Sequence, residues 1–305
     1  MLYSKTTPEQ KRLKLRELLT SGTIQQFPGA FNPLSARLIE EKGFPGVYIS
    51  GAVLANDLGL PDIGLTTLTE VATRAGQIAR MTELPALVDA DTGFGEPMNV
   101  ARTIQELENA GLAGCHIEDQ VNPKRCGHLD GKNVVDQDTA TQRIRAAADA
   151  RRDPNFLIMA RTDIRATEDG AAGLQAAQDR AKALVNAGAD AIFPEAMATL
   201  EEFQAIRDAV DVPILANMTE FGKSQLFTTE QLQNIGINIV IYPVTLLRIA
   251  MGAAERTLES IKATGTQEGQ VPQMLTRSRL YDLVDYEAYN HFDTSVFNFQ
   301  VPGTR

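Results

Sequence analysis

The sequence predicts an α/β chain whose strand–helix units close into a (β/α)8 TIM-like barrel, with an extra N-terminal helix and a C-terminal helical extension. Three observations carry this expectation. Short apolar runs alternate with segments of helical periodicity from about residue 24 to about residue 263. Each apolar run is nearly continuous rather than alternating, the mark of strands buried on both faces in a parallel sheet. The runs number about eight, the count that closes a barrel. A doubly wound open sheet is the alternative, but no G-x-G-x-x-G follows the first strand.

Residues 8–21 carry an amphipathic helix that stands outside the repeat. The expected strands are 24–30, 46–51, 86–91, 114–119, 156–163, 191–195, 213–218 and 238–242. Helices are expected between them at 33–43, 68–82, 97–110, 138–152, 168–188, 199–210, 229–235 and 244–263. Gly111, Gly188 and Gly236 each fall just after a helix and before the next strand, where a left-handed cap ends a helix. No linker interrupts the pattern, so residues 1–305 are expected to form one domain, with the N-terminal helix in 1–22 and the extension in 264–305. A Gly/Thr/Gln stretch over 264–273 precedes a last helix at 274–289. The aromatic-rich end is expected to cover the barrel edge or another subunit, and the last five residues to be mobile.

A net charge of −10 argues against nucleic acid and against anionic membrane surfaces as partners. Two cysteines make no disulfide framework, no apolar run is long enough for a bilayer, and residues 5–16 are charged where a signal peptide is apolar. A cytoplasmic location is the expectation.

In a parallel barrel the carboxyl ends of the strands share one rim, where active sites are built. Here those ends carry Ser50 and Gly51, Asp89 and Asp91, Glu118 and Asp119, Arg161 and Asp163, Glu195, and Asn217 with Thr219. Any one carboxylate among them can be a helix cap, but a run of them on successive strands points to a site. Asp89 and Asp91 stand two apart, on one strand face, and can hold a hard cation directly or through water; capping of the next helix is the plain alternative. Oxygen donors favour Mg²⁺ or Mn²⁺ over zinc. Asp62 is a further acid in a loop. The fork of Arg161 suits a carboxylate substrate, or else an ion pair with Asp163 or Glu195. Cys115 and His116 sit inside a strand and are read as core.

One loop carries the reactive group. After Glu118, about 17 residues pass before helical pattern resumes, far beyond a usual strand-to-helix connection. Within it, Cys126 follows Lys124 and Arg125 and precedes Gly127 and His128. Neighbouring positive charge lowers a thiol's pKa toward neutrality, where it can give or take a proton. Cys126 is read as an acid/base on a closing lid.

Three motifs together resemble the isocitrate lyase and phosphoenolpyruvate mutase superfamily. They are Lys124-Arg125-Cys126-Gly127-His128, Asp89-Ala90-Asp91-Thr92-Gly93-Phe94-Gly95, and Asn217-Met218-Thr219-Glu220-Phe221-Gly222. The resemblance covers nearly the whole chain and implies the barrel, with its eighth helix exchanged between paired subunits of a homotetramer. It also implies Mg²⁺, with Mn²⁺ as a substitute, and carbon–carbon lyase chemistry on a small tricarboxylate. The K-R-C-G-H form and the short chain favour the branch that cleaves 2-methylisocitrate to pyruvate and succinate, the closing step of the methylcitrate cycle in propionate catabolism. Isocitrate and 2,3-dimethylmalate are the alternative substrates, and a non-catalytic small-acid-binding barrel is the alternative of another class.

By the same match Asp89 is the direct metal ligand, with Asp62, Asp91 and Glu118 holding metal-bound waters. Ser50, Gly51 and Ala52 meet the pyruvate side of the substrate. Arg161, Glu195, Asn217 and Thr219, with Gly127 and His128, hold the succinate carboxylates. Tyr48 handles the hydroxyl proton, Lys124, Arg125 and His128 join Cys126 in the catalytic set, and Arg248 and Arg277 match positions near the site. One departure is visible: related lyases often continue Ser-Gly with another glycine, whereas Ala52 and Val53 follow here.

Overall fold

Eight parallel strands follow one another in sequence order around a closed ring in the computed structural model, which describes residues 4–125, 133–167, 170–222 and 224–298. They are β1 (Gln25–Pro28), β2 (Val47–Ile49), β3 (Ala86–Asp89), β4 (Gly114–Glu118), β5 (Leu157–Thr162), β6 (Ala191–Pro194), β7 (Leu215–Asn217) and β8 (Ile239–Tyr242). Continuous ladders join β2 through β6, and separately β7 to β8 to β1. Single bridges, Gly29 to Tyr48 and Ile192 to Ile214, close the two arcs into a barrel. An open doubly wound sheet is thereby excluded, because β1 pairs with β8 along its whole length.

Two apolar layers hold the ring. Phe27, Tyr48, Leu87, Leu157, Met159, Phe193, Leu215 and Ile239 fill the inside of the barrel. A larger cluster, including Val88, Ile104, Ile117, Ile158, Ile192 and Val240, lies between the sheet and the surrounding helices. Both faces of each strand are thus buried, as the unbroken apolar runs required.

Helix α1 (Pro8–Leu19) starts with a capping box between Thr7 and Gln10. Its Leu15 and Leu19 join the inner cluster and close the amino-terminal floor of the barrel. Burial of a leucine contributes about 2 kcal/mol. Arg12 locks the helix in place by donating to the carbonyls of Leu112, at 3.1 Å, and Glu108, at 2.6 Å.

The surrounding helices are α2 (Pro33–Glu41), α3 (Gly51–Asp57), α4 (Leu68–Ala79), α5 (Pro97–Asn109), α6 (Gln137–Ala150), α7 (Gly170–Asn186), α8 (Leu200–Ala209), α9 (Thr229–Asn234) and α10 (Thr245–Thr264). Helix α3 has no counterpart in the sequence expectation. At seven residues it is too short to display a period, although Val53, Leu54 and Ala55 are buried. Helix α10 lies where the eighth helix was expected, yet none of its residues is buried, and Ile249, Met251 and Leu258 are exposed.

The expected last helix is two, α11 (Arg277–Leu283) and α12 (Tyr286–Phe297). Asp285 breaks them apart with φ of 57°, a left-handed conformation that aspartate tolerates better than most residues. Helix α12 also runs through 291–297, beyond the expected end of the last helix at 289. The mobile end expected at 301–305 lies outside the described residues. No helix of the described residues is long and apolar enough to cross a membrane.

Candidate active site at the carboxyl rim

Strand register decides which side chains meet. Pairing of β3 with β4 sets Asp89 beside His116, and pairing of β4 with β5 sets Glu118 beside Arg161. Above them opens a cavity of about 340 Å³ lined by Tyr48, Ser50, Ala52, Asp62, Asp89, Lys124, Arg161, Phe193, Glu195, Asn217, Thr219 and Arg248, among others. Of the expected rim residues Ser50, Asp89, Arg161, Glu195, Asn217 and Thr219 line it, whereas Gly51, Asp91, Glu118, Asp119 and Asp163 do not.

The acidic side is built around Asp89. Its Oδ1 accepts from the Asp91 amide at 3.0 Å and its Oδ2 from the Gly51 amide at 3.2 Å. Gly51 is required there: a Cβ would stand 2.8 Å from Asp89 Oδ2 and 3.2 Å from Asp91 Oδ1. Asp91 itself sits at φ 46°, and Phe94, Ala196 and Phe221 on neighbouring rim loops are also left-handed. Such strain is stored where surrounding structure enforces it, commonly at functional sites. Asp91 lines a second hollow of about 620 Å³, together with Thr66, Asn99 and Arg102 among others.

Lys124 reaches into this cluster. Its Nζ is 2.7 Å from Asp91 Oδ1 and also contacts Asp62. Burial opposes the ammonium charge, but Asp91, Glu118, Asp89 and Asp62 outweigh it and hold Lys124 protonated. Burial pushes Asp91 up to about 6 despite Lys124, and pushes Glu118 well above the carboxylate range despite Arg161. Asp89 runs the other way, to about 2, because His116, Lys124 and Arg161 together overcome its burial.

Neither carboxylate oxygen of Glu118 has a hydrogen-bond partner among the described residues, and Asp91 Oδ1 has only its ion pair with Lys124. An all-oxygen set short of positive charge suits a hard divalent cation. Among the described residues no three Asp, Glu, His or Cys side chains converge closely enough to hold a metal by themselves. The fit is therefore one direct carboxylate with the others acting through water, as Mg²⁺ commonly binds.

The cationic side is Arg161, and here the ion-pair alternative is what the structure contains. Nε lies 2.9 Å from Asp163 and 3.3 Å from Glu118, while Nη2 lies 3.2 Å from Glu195. These pairs leave Nη1 out, and the guanidinium still lines the cavity. Glu195 also stands 3.4 Å from the Asn217 amide. Arg248 donates to Thr219 Oγ1 at 3.1 Å and pairs with Glu220 at 2.7 Å, which ties α10 to the loop after β7.

Other expected residues are placed differently. Arg125 is exposed, and among the described residues its backbone is held by two hydrogen bonds with the Gln120 side chain at 2.8 and 2.9 Å. Arg277 lies in a separate hollow with Tyr281, Asp285 and Tyr286 and does not reach the rim of its own chain. The reason is that α11 packs on α2, through Arg37 to the Leu283 carbonyl and Arg279 to Glu41. Cys126, Gly127 and His128 lie outside the described residues. The long loop is partly paired, since the Val121 amide donates to the Asn133 carbonyl at 2.8 Å and Gln120 bridges Val134.

Several supporting contacts leave no signal in the sequence. Asp119 turns away from the cavity and accepts from Thr162 at 2.7 Å, the Asp163 amide and Arg180 at 2.9 Å. Arg143 donates to the carbonyls of Glu118 and Gln120. His116 is core, as expected, but it also touches Tyr48. No spacing in the sequence signals these partners, because they come from different helices and strands.

Fold and rim together define the class: a (β/α)8 barrel whose acid- and arginine-lined cavity stands at the strand carboxyl ends, where barrel enzymes work. The model of the phosphoenolpyruvate phosphomutase family matches residues 15–262, and the chain belongs to that family. A relative from Corynebacterium glutamicum named "Probable 2-methylisocitrate lyase 2" is 59% identical over 98% of this chain and 96% of its own. The 2-methylisocitrate lyase of Aeropyrum pernix is 46% identical over 94% of this chain and 92% of its own. Among solved structures, a 2,3-dimethylmalate lyase of the PEP mutase/isocitrate lyase superfamily superposes with a TM-score of 0.86 at 32% identity, covering 97% of this chain and 99% of its own. A phosphonopyruvate hydrolase in complex with oxalate and Mg²⁺ superposes at 0.83 with 26% identity, covering 95% and 99%.

Proposed function

We propose that this chain is a cytoplasmic, Mg²⁺-dependent carbon–carbon lyase that cleaves 2-methylisocitrate to pyruvate and succinate. The observation that carries the proposal is the meeting, in one cavity, of an under-neutralised carboxylate cluster with Arg161 and Tyr48. The names of relatives at 59% and 46% identity support the substrate.

Asp89, with Asp62, Asp91 and Glu118 around it, would hold the metal. When bound, Mg²⁺ supplies Lewis-acid stabilisation to the oxygen that becomes the pyruvate carbonyl. Ser50, Gly51 and Ala52 receive the pyruvate-side carboxylate. Arg161, Asn217 and Thr219, with Glu195, Arg248, Gly127 and His128, hold the succinate carboxylates while negative charge spreads into one of them as the bond breaks. Tyr48 meets the substrate hydroxyl. Its phenol rests protonated, since burial and then Asp89 hold its pKa well above 10, so it relays the hydroxyl proton, taking it up as the carbonyl forms while giving its own to solvent water, rather than standing as a phenolate. Cys126, carried on a closing lid with Lys124 and Arg125 at its base, delivers a proton to the succinate carbon.

The bare α10 supports exchange of this helix between subunits of a homotetramer, because a 20-residue helix with no buried residue has its apolar side left for a partner. Sedimentation of a stable monomer would exclude the exchange.

Release of the 2-oxo acid, pyruvate from 2-methylisocitrate and 2,3-dimethylmalate and glyoxylate from isocitrate, each with and without EDTA, tests the proposal. Turnover of 2-methylisocitrate should exceed the others and vanish with EDTA. Isocitrate lacks only one methyl group, worth about 1–3 kcal/mol of discrimination, so a preference of about 10- to 100-fold over isocitrate is expected. Equal or faster cleavage of either rival would overturn the substrate, and turnover in EDTA would overturn the metal.

A further inference from the structure

Phe221 carries two costs that the fold does not recover. Its side chain is 95% exposed, so it adds almost nothing to burial. Its backbone stands at φ 61°, in the left-handed region that bulky side chains avoid and that persists only where surrounding structure enforces it. Yet the residue lines the cavity, on the loop that leaves β7 after Asn217 and Thr219.

What the ring meets is Arg248, whose guanidinium carbon lies 5.5 Å from the ring centre. A stacked ring uses none of the guanidinium's N–H donors, but it fixes the plane in which they lie. One end of that plane is pinned separately. Among the described residues Nη1 makes all the hydrogen bonds of Arg248, to Thr219 Oγ1 at 3.1 Å, the Glu220 carbonyl at 2.9 Å and the Glu220 carboxylate at 2.7 Å. Thr245 of α10 holds that carboxylate in turn. Nε and Nη2 are left over on a side chain that lines the cavity. Two adjacent nitrogens of this kind are the edge that takes a carboxylate through parallel bonds.

We propose that Phe221 is a positioning residue whose ring is the platform for Arg248: it holds the guanidinium plane so that the Nε–Nη2 edge meets one carboxylate of the succinate part as a bidentate pair. This rests on the lyase reading, which gives Arg248 to that carboxylate, and adds to it the residue that aims the arginine. It also accounts for an exposed aromatic ring kept in a strained backbone.

Dissociation constants of succinate and pyruvate, measured by titration on the Mg²⁺-saturated protein, test the proposal. Phe221→Leu keeps an apolar side chain on the same backbone and removes the π-face. It should weaken succinate about three- to fivefold, the worth of an exposed cation–π contact, and leave pyruvate unchanged. Phe221→Tyr and Phe221→Trp keep the face and should bind succinate as the parent does or better. In an Arg248→Met background, Phe221→Leu should have no further effect on succinate. Parental succinate affinity in Phe221→Leu would overturn the proposal. So would the same loss with Arg248 already replaced, because the ring would then act without the arginine. Equal losses of both acids would overturn it as a general disturbance of the rim. A parent protein that binds neither acid would bring down the lyase reading and this inference with it.

Discussion

Replacement of Gly51 by alanine tests the geometry of the acid cluster through a single added methyl. The backbone at Gly51 is not left-handed, so alanine is conformationally allowed and the effect comes from space alone. The new Cβ would lie 2.8 Å from Asp89 Oδ2, 3.1 Å from its Cγ and 3.2 Å from Asp91 Oδ1. A carbon and an oxygen cannot rest at 2.8 Å, so Asp89 must move by several tenths of an ångström or the turn into α3 must shift. Overpacking of this kind costs about 1–3 kcal/mol of stability. The larger expected effect is on the metal, because displacement of a ligand or its support typically costs about 10- to 100-fold in affinity. Calorimetric titration with Mg²⁺ should show that loss. The control is Gly269→Ala, where a Cβ meets nothing within 4 Å. Parental Mg²⁺ affinity in Gly51→Ala would refute the assignment of Asp89 and Asp91 to the cation.

Cys126→Ser should keep product and Mg²⁺ binding while turnover falls by about 1,000-fold or more, given what a positioned proton donor contributes; turnover within tenfold of the parent removes the thiol from the mechanism. In EDTA, the buried Asp91 should lower stability as pH rises from about 4 through about 6, because its folded pKa is raised and the folded chain holds the proton longer. Denaturant unfolding of Asp91→Asn should lack that fall, which amounts to about 3 kcal/mol at most; identical profiles would remove Asp91 as its source. Leu15→Ala should cost about 2–5 kcal/mol by opening the barrel floor while leaving Mg²⁺ affinity unchanged. A lowered affinity would show that the floor and the rim are coupled.

The barrel was legible because its strands are short apolar runs and its helices carry a regular period and end in glycines such as Gly111, Gly188 and Gly236, all of which adopt a left-handed φ. The rim was legible because strand ends are known once strands are, so Asp89, Glu118, Arg161, Glu195 and Asn217 could be placed together before any coordinates. Helix α3 was missed for want of length, and the break at Asp285 because a left-handed aspartate leaves no mark on helical periodicity. Arg277 was drawn to the rim by motif alone, and the packing of α11 on α2 takes it elsewhere within its own chain.

Periodicity, apolar runs and the order of polar strand ends are local properties, and the amino-acid sequence by itself determined through them the barrel, its polar rim and its acid-rich chemistry. Partnership is not local. That Arg161 is shared among Asp163, Glu118 and Glu195, that Lys124 enters the acid cluster, and that His116 touches Tyr48 were decided only by tertiary structure. The physical reason is that a charge or a proton answers to whatever stands within a few ångströms of it, and strand register, not spacing along the chain, sets those neighbours.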